Sequence, residues 1–283
     1  FILLIYYKMD NIIININSQF RNTSSFPSSS DFTIKLEEEI KNIIYIKLSS
    51  LELPLYFHSF TDIRNNNSFT ITNGANTDTI TIGDGNFTTA SILTKINARL
   101  DEINTTRTVN LDLNQDSNTG KITFTSSTSF TLNFNRTGNI DYKGIKYHLG
   151  FSNDTYTGTS ITSETPLDIN VDRYLFLNIN DIQNIRDNKV NNAFSKIIVN
   201  TNSYSLLVRG PEEYVSKDIV LRSPINLSKL DIKLLDYLGN TIDLGKNDFS
   251  LTLELGYVYD KKLYEEIHNK GIPNGDTRTK FFY

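Results

Sequence analysis

Residues 32–37 read FTIKLE and residues 250–255 read SLTLEL, so apolar and polar side chains alternate along both segments. Successive side chains of a β-strand point to opposite faces of the sheet, and such alternation is typical of a strand with one buried face. The same period of two recurs in four further segments: 12–16, 44–48, 175–179 and 230–234. The sequence therefore predicts an all-β protein built from half-buried antiparallel strands.

The middle of the chain, residues 65–165, is rich in Thr, Asn, Ser and Gly, and its apolar runs are shorter. Within it, apolar residues recur at three- and four-residue spacing and predict a helix over 88–103. The residues of this stripe are Ile92, Leu93, Ile96, Leu100 and Ile103, and the candidate caps are Asn86, Thr88 and Thr89. The block is predicted to be a β-rich insertion domain that carries one helix.

The rest of the chain contains eight predicted strands, with 218–222 as an extra strand or a continuation. They are 10–17, 31–37, 42–50, 172–180, 194–200, 204–209, 229–236 and 249–258. Eight antiparallel strands are the number that a jelly roll packs into two sheets. We therefore predict an antiparallel jelly-roll sandwich formed by 9–64 and 166–260, followed by a C-terminal arm, 261–283.

The composition argues against several classes of function. The net charge is −4 and the basic residues are dispersed, so nucleic-acid binding is not expected. The chain has no cysteine, which removes disulfides, zinc fingers and thiol catalysis. The apolar run at 1–7 is much shorter than the roughly 20 residues that cross a bilayer, so direct membrane insertion is not expected.

The side chains do not suggest an enzyme. His58, His148 and His268 are far apart, and neither a metalloprotease helix, a nucleophile elbow nor a phosphate-binding loop is present. Adjacent residues of a strand point to opposite faces, so neighbouring acidic residues such as Glu212 and Glu213 are not expected to form a glycosidase pair. We predict no catalytic residues and no cofactor.

One segment carries oxygen side chains at every second position, as a calcium-binding loop does. These residues are Asp112, Asn114, Asp116 and Asn118. However, Ser117 stands where such a loop needs glycine, and Thr123 stands where it needs glutamate. A hairpin turn between two strands accounts for the same residues, and we predict no metal site.

Residues 16–21 (INSQFR) and 26–34 (FPSSSDFTI) resemble the N-terminal segment of minor capsid and penton-type jelly-roll proteins of giant viruses, the nucleocytoplasmic large DNA viruses. In that family a Ser-x-x-Arg element precedes a proline-containing loop and a strand. Shorter similarities follow at 42–48, 52–54, 67–71, 149–151, 226–232 and 248–251. The resemblance implies a non-enzymatic jelly roll in an icosahedral shell. It also implies other capsid proteins as partners, a homo-oligomer with a pentamer favoured, and a virion assembled in the host cytoplasm.

Contacts with neighbouring subunits are expected from aromatic side chains at the ends of the sandwich. The candidates are Phe20 and Phe26 in the Ser-rich loop 18–30, and Phe281, Phe282 and Tyr283 in the tail. The tail could instead fold back on its own sandwich. Residues 1–8 are interpreted either as an apolar arm that docks on a neighbour or as a stretch before a natural start at Met9.

A different class of function stays open. A β-sandwich of a viral fibre or tail can bind a receptor or a carbohydrate through exposed Trp or Tyr side chains. The chain lacks Trp but has 15 Tyr, so this alternative remains.

Overall fold

A computed structural model describes residues 9–107, 109–180, 182, 185–190, 193–201, 203–210 and 219–269, except the side chains of 222 and 267–269. In chain order, the elements of these residues are β1 (Met9–Asn17), β2 (Asp31–Pro54), β3 (Ser68–Asn73), β4 (Asn76–Thr81), α1 (Thr89–Arg107), β5 (Asp112–Gln115), β6 (Ile122–Asn133), α2 (Ile145–His148), β7 (Thr155–Thr162), β8 (Tyr174–Ile179), β9 (Ser195–Ile198), β10 (Leu206–Arg209), β11 (Ile219–Leu235), β12 (Ser250–Val258) and α3 (Lys261–Asn269). A 3-10 turn, Ser18–Phe20, follows β1.

The chain divides into two compact units. The first consists of Phe1–Tyr56 with Tyr174–Tyr283, and the second is Phe57–Arg173. The second unit is wider than the predicted insertion, 65–165, because Phe60 lies in its core and Arg64 forms an ion pair with Asp172. That the two units are independent domains, 9–64 with 166–260 and 65–165, stays a prediction. Most of the predicted arm 261–283 and all of residues 1–8 lie outside the described residues.

In two places, two predicted strands form one continuous strand in the structure. The predicted strands 31–37 and 42–50 merge into the 24-residue β2, and 218–222 merges with 229–236 into the 17-residue β11. Asn42 has a positive φ of 57°, and the β2–β11 register shifts three times between Val220 and Lys229. Bulges of this kind bend and twist a strand without ending it. The predicted break between 37 and 42 is therefore wrong, since the chain bends there and stays paired.

The bend lets each half of β2 belong to a different row of strands. Residues 31–35 of β2 pair with β11, which pairs with β8, and β8 pairs with β9. Residues 43–54 of β2 pair with β12 on one side and with β10 and the start of β11 on the other, and β12 pairs with β1. The described strands thus form a β1 row, β1-β12-β2-β10, and a β9 row, β2-β11-β8-β9. This is the strand order of a jelly roll, and the predicted fold class is confirmed.

The core of the first unit follows the predicted alternation. Leu251, Leu253 and Leu255 of β12 are buried, and the residues between them are half-buried. From the β9 row, Phe32 is buried and packs edge-to-face on Phe249, with ring centroids 6.0 Å apart. The alternation seen in the sequence therefore corresponds to inward and outward faces of the strands.

The second unit has its own sheet and its own core. Its described strands form a sheet in the order β4-β3-β6-β5, and β7 pairs with β6. Helix α1 buries Ile92, Ile96, Leu100 and Ile103 in a core shared with these strands, as predicted. The helix begins after Thr88, whose hydroxyl accepts the Ser91 N–H at 3.1 Å while Ser91 Oγ accepts the Thr88 N–H at 2.8 Å. This reciprocal cap explains where α1 starts.

A close approach of two backbone segments in the second unit depends on Gly150. Its φ is +85°, and an added Cβ would lie 2.1 Å from the carbonyl oxygen of Thr165. We expect Gly150→Ala to lower the free energy of unfolding by more than about 3 kcal/mol, because it combines backbone strain with a backbone clash. Denaturant unfolding measures this loss.

The matched control is Gly138→Ala. Gly138 has a similar φ, +88°, but a Cβ there would meet nothing within 4 Å. We expect it to cost only the strain of a left-handed residue, roughly 1–2 kcal/mol. Equal losses for the two variants would contradict a close approach at Gly150.

Candidate interaction site

The Ser-rich loop 18–30 starts from a buried serine. Ser18 Oγ donates to Asp248 Oδ1 at 2.7 Å and accepts the Phe249 N–H at 3.0 Å. The Ser18 N–H donates to the Phe249 carbonyl at 2.9 Å. The beginning of the loop is therefore fixed to the residues that lead into β12.

Arg21 connects the two ends of this loop. Its Nη1 lies 2.5 Å from Asp248 Oδ1 and donates to the Ser18 carbonyl at 2.8 Å. Its Nε and Nη2 donate to the carbonyls of Phe26 and Pro27 at 3.0 and 3.1 Å. A guanidinium has five N–H donors in a fixed plane, which suits one side chain to four acceptors. With only a tenth of its side chain exposed, Arg21 acts as a clamp across the loop.

The other end of the loop is fixed by two more buried serines. Ser29 Oγ donates to the Asn247 carbonyl at 2.7 Å, and Ser30 Oγ donates to the Ile242 carbonyl. The Leu234 N–H of β11 donates to the Ser30 carbonyl at 2.8 Å. Every one of these buried hydroxyls has a partner, as burial of a polar group requires.

The clamped loop presents Phe20 to solvent. The Phe20 side chain is 80% exposed, whereas Phe26 is half-buried and its carbonyl is held by Arg21. An aromatic side chain on a fixed backbone loses little entropy on binding, which is the usual character of an interface anchor. The other predicted anchors, Phe281, Phe282 and Tyr283, lie outside the described residues.

The Arg21 clamp should contribute measurably to stability. We expect Arg21→Ala to lower the free energy of unfolding by about 2–3 kcal/mol, because it removes the largely buried guanidinium and its hydrogen bonds to the Asp248 carboxylate and to three carbonyls. Limited proteolysis within 18–30 should speed up in the same variant.

Arg99→Ala is the control. Arg99 forms an ion pair with Glu102 on α1, and both side chains are largely exposed. Exposed pairs contribute little, so a loss of about 0.5 kcal/mol is expected. If the two arginine variants lost equal stability, Arg21 would not be a clamp.

The segment with alternating oxygen side chains forms the hairpin between β5 and β6. Asp116 Oδ1 accepts the N–H groups of Asn118 at 2.7 Å and Thr119 at 3.0 Å. These backbone donors, Thr119 foremost, hold the pKa of the Asp116 carboxyl below its usual value. Asn114 Nδ2 donates to Asp112 Oδ2. In the described part of the chain, no group of three His, Cys, Asp or Glu side chains is arranged to hold a metal.

His148 is buried in the second unit. Its Nδ1 lies 2.9 Å from the Asp168 carbonyl, so this nitrogen carries the proton, and the ring packs edge-to-face on Phe60. Burial lowers the pKa of His148 despite this hydrogen bond, and the buried Nε2 has no hydrogen-bond partner among the residues that the structure describes. His58 is exposed, and the side chain of His268 lies outside the described residues. The geometry assigns His148 a structural role as a neutral core side chain.

The lowered pKa of His148 makes stability depend on pH. Above about pH 6.5, the usual pKa of the unfolded state, both states are neutral and the full stability is present. As the pH falls below that value, the unfolded chain binds the proton first and the free energy of unfolding drops by at most about 1.4 kcal/mol per pH unit. Unfolding measured at pH 7.5 and 5.5 should show this loss.

Two variants identify the group responsible. His148→Gln should remove most of this pH dependence, although it also lowers stability at pH 7.5. His58→Gln should retain the wild-type pH dependence. A loss of stability on acidification that persisted in His148→Gln would exclude His148 as its source.

No helix in the described ranges is both long enough and apolar enough to cross a membrane. The search of curated proteins found no match to the chain.

Comparison with solved structures shows a similar fold. A crystal structure of the mavirus penton protein superposes with a TM-score of 0.50 over 89% of this chain and 99% of the penton chain, at 11% sequence identity. At this identity the likeness is one of fold. The sequence matches a family model over residues 2–228, most of the 283 residues. The chain therefore belongs to DUF5901, a family of unknown function.

Proposed function

We propose that this chain is a structural capsid protein, a penton or minor component of the shell of an icosahedral large DNA virus. The observation that carries the proposal is the jelly-roll strand order, shared in fold with the mavirus penton protein over nearly the whole of both chains. The resemblance of the Ser-x-x-Arg segment to giant-virus capsid proteins supports the same role, and Ser18 and Arg21 of that segment both bind Asp248.

The structure of the first unit suits a subunit that acts through protein–protein contacts. β2 runs through both rows, and the start of β11 pairs with its second half, so the rows share continuous hydrogen-bonded strands. The second unit is inserted between β2 and β8 and leaves the order of the jelly roll unchanged. A framework that tolerates a large insertion in one connection can carry contact loops without losing its core.

The proposal assigns partners and a location. Other capsid proteins and further copies of this chain would be the partners, with a pentamer favoured. The protein would be found in the virion, which is assembled in the host cytoplasm. A pentamer has closed cyclic symmetry with head-to-tail contacts between copies.

The oligomeric state of the purified chain tests this proposal. We expect native mass spectrometry and negative-stain images to show a ring of five copies. A chain that stays monomeric up to its solubility limit, and that binds a glycan array, would instead support a carbohydrate-binding module. The exposed, edge-to-face pair Tyr56 and Tyr204, with ring centroids 6.1 Å apart, is the first surface to examine in that case.

A further inference from the structure

We propose that β1 of one copy binds β10 of the next, so that the β1 row continues from copy to copy around a ring. The inference rests on the proposed function, in which copies of the chain assemble, and it names the surfaces that meet. Among the described strands, β1 pairs only with β12 and β10 pairs only with β2, so these two strands form the edges of the β1 row.

The β1 edge lacks the features that keep sheet edges apart. β1 pairs with β12 over nine positions without a register shift, from Met9 opposite Val258 to Asn17 opposite Ser250. Residues 11–17 read NIIININ and contain neither a charge nor a proline, and Ile13 is 70% exposed. Natural sheets block exposed edges with lysine, proline, bulges or short strands. Asp10, near the start of β1, is the one charged residue of the strand. A long, regular and almost uncharged edge is suited to pairing with another strand.

The β10 edge is also apolar. The side chains of Leu206 and Val208 are 56% and 55% exposed, whereas Leu207 between them is buried. The charged residues of the two strands are Asp10 in β1 and Arg209 in β10, which have opposite signs, so the two edges bring no like charges together. The chemistry of each edge therefore fits the other, and a second copy of the chain supplies both.

The strand register places the exposed side chains of both edges on one face. Ile13 of β1 lies opposite Glu254 of β12. Four residues earlier on β12, Ser250 lies opposite Glu52 of β2, and Glu52 lies opposite Val208 of β10. Paired residues share a face, and residues four apart on β12 also share one. Ile13 and Val208 therefore point to the same side of the β1 row.

The strand directions also agree. Each strand of the β1 row is antiparallel to the next, so β1 and β10 run in opposite directions. If the next copy has the same orientation, its β10 lies antiparallel to β1 of the first copy. The alternation of strand direction within the β1 row then continues from one copy to the next. The contact joins two different surfaces, and repetition of such a head-to-tail contact closes a ring when the rotation fits.

A charge-swap experiment on the full chain tests this contact. Ile13→Lys and Val208→Glu each place an unpaired charge beside an apolar side chain across the proposed contact, and because the change is repeated at every contact of the ring, each should weaken ring formation by about tenfold or more. In the double variant, the new ammonium group of each copy faces the new carboxylate of the next, and ring formation should recover. Ile140→Lys, at a 66% exposed position of the second unit, is the control and should assemble like the wild type.

The outcomes separate the contact from the proposed function. Analytical ultracentrifugation gives the oligomeric state, and thermal melting verifies that every variant is folded. If the wild type forms rings and the single variants do too, or if the double variant fails to recover, the β1–β10 contact is wrong while the capsid role stands. Rings that are broken by Ile13→Lys but left intact by Val208→Glu would indicate a β1–β1 contact and would also overturn it. A monomeric wild type would overturn the β1–β10 contact and the pentamer, and only together with glycan binding would it also overturn the capsid role.

Discussion

The architecture depends on β2 staying hydrogen-bonded while it bends from one row of strands into the other. Its first residues pair with β11, and its last residues lie between β12 and β10. The bend is accommodated by the positive φ of Asn42 and by the register shifts along β11. Asparagine enters this backbone region at a lower cost than most residues. The two rows are therefore connected by peptide bonds and ladders, in addition to the packing of their inner faces.

The second unit closes on itself by a different interaction. Arg64, near its start, donates to Asp172, near its end, at 2.6 Å, and both side chains are buried. Ser59 Oγ also donates to Asp172 Oδ2, at 2.8 Å. The attraction within a buried ion pair mainly offsets the cost of removing both charges from water, but losing one partner leaves a buried charge. The pair thus favours one way of closing the unit over alternatives, and it sets the limits of the unit outside 65–165.

Local periodicity predicted most of the fold, and its failures have a common physical cause. Alternation identified the half-buried strands and the apolar stripe identified α1, because both patterns follow from which face is buried. Exposed polar residues around Glu38 lie at the predicted break in β2. Polar side chains occupy exposed strands and loops alike, so composition could not distinguish a bend from a turn. The segment 112–118 was predicted as a hairpin turn because its turn residues are local.

The candidate site was only partly accessible from sequence. The Ser-x-x-Arg resemblance drew attention to Ser18 and Arg21, but their partner Asp248 lies 227 residues after Arg21 and no local signal connects them. The neutral state of His148 depends on burial, which a single sequence does not give for an isolated histidine. Phe20 could be selected as an aromatic residue in a Ser-rich loop, whereas its exposure required the structure.

The two rows differ in how their edges are protected, and this difference bears on assembly. β9 has four residues, and a short edge strand offers few backbone groups to a stray partner. β1 has nine residues in unbroken register, which stiffens the row but leaves its outer side regular and apolar. In a monomer such an edge is an aggregation hazard. In the proposed ring the same regularity would fix the register between copies, so an edge that harms an isolated protein would be useful to a protein that assembles.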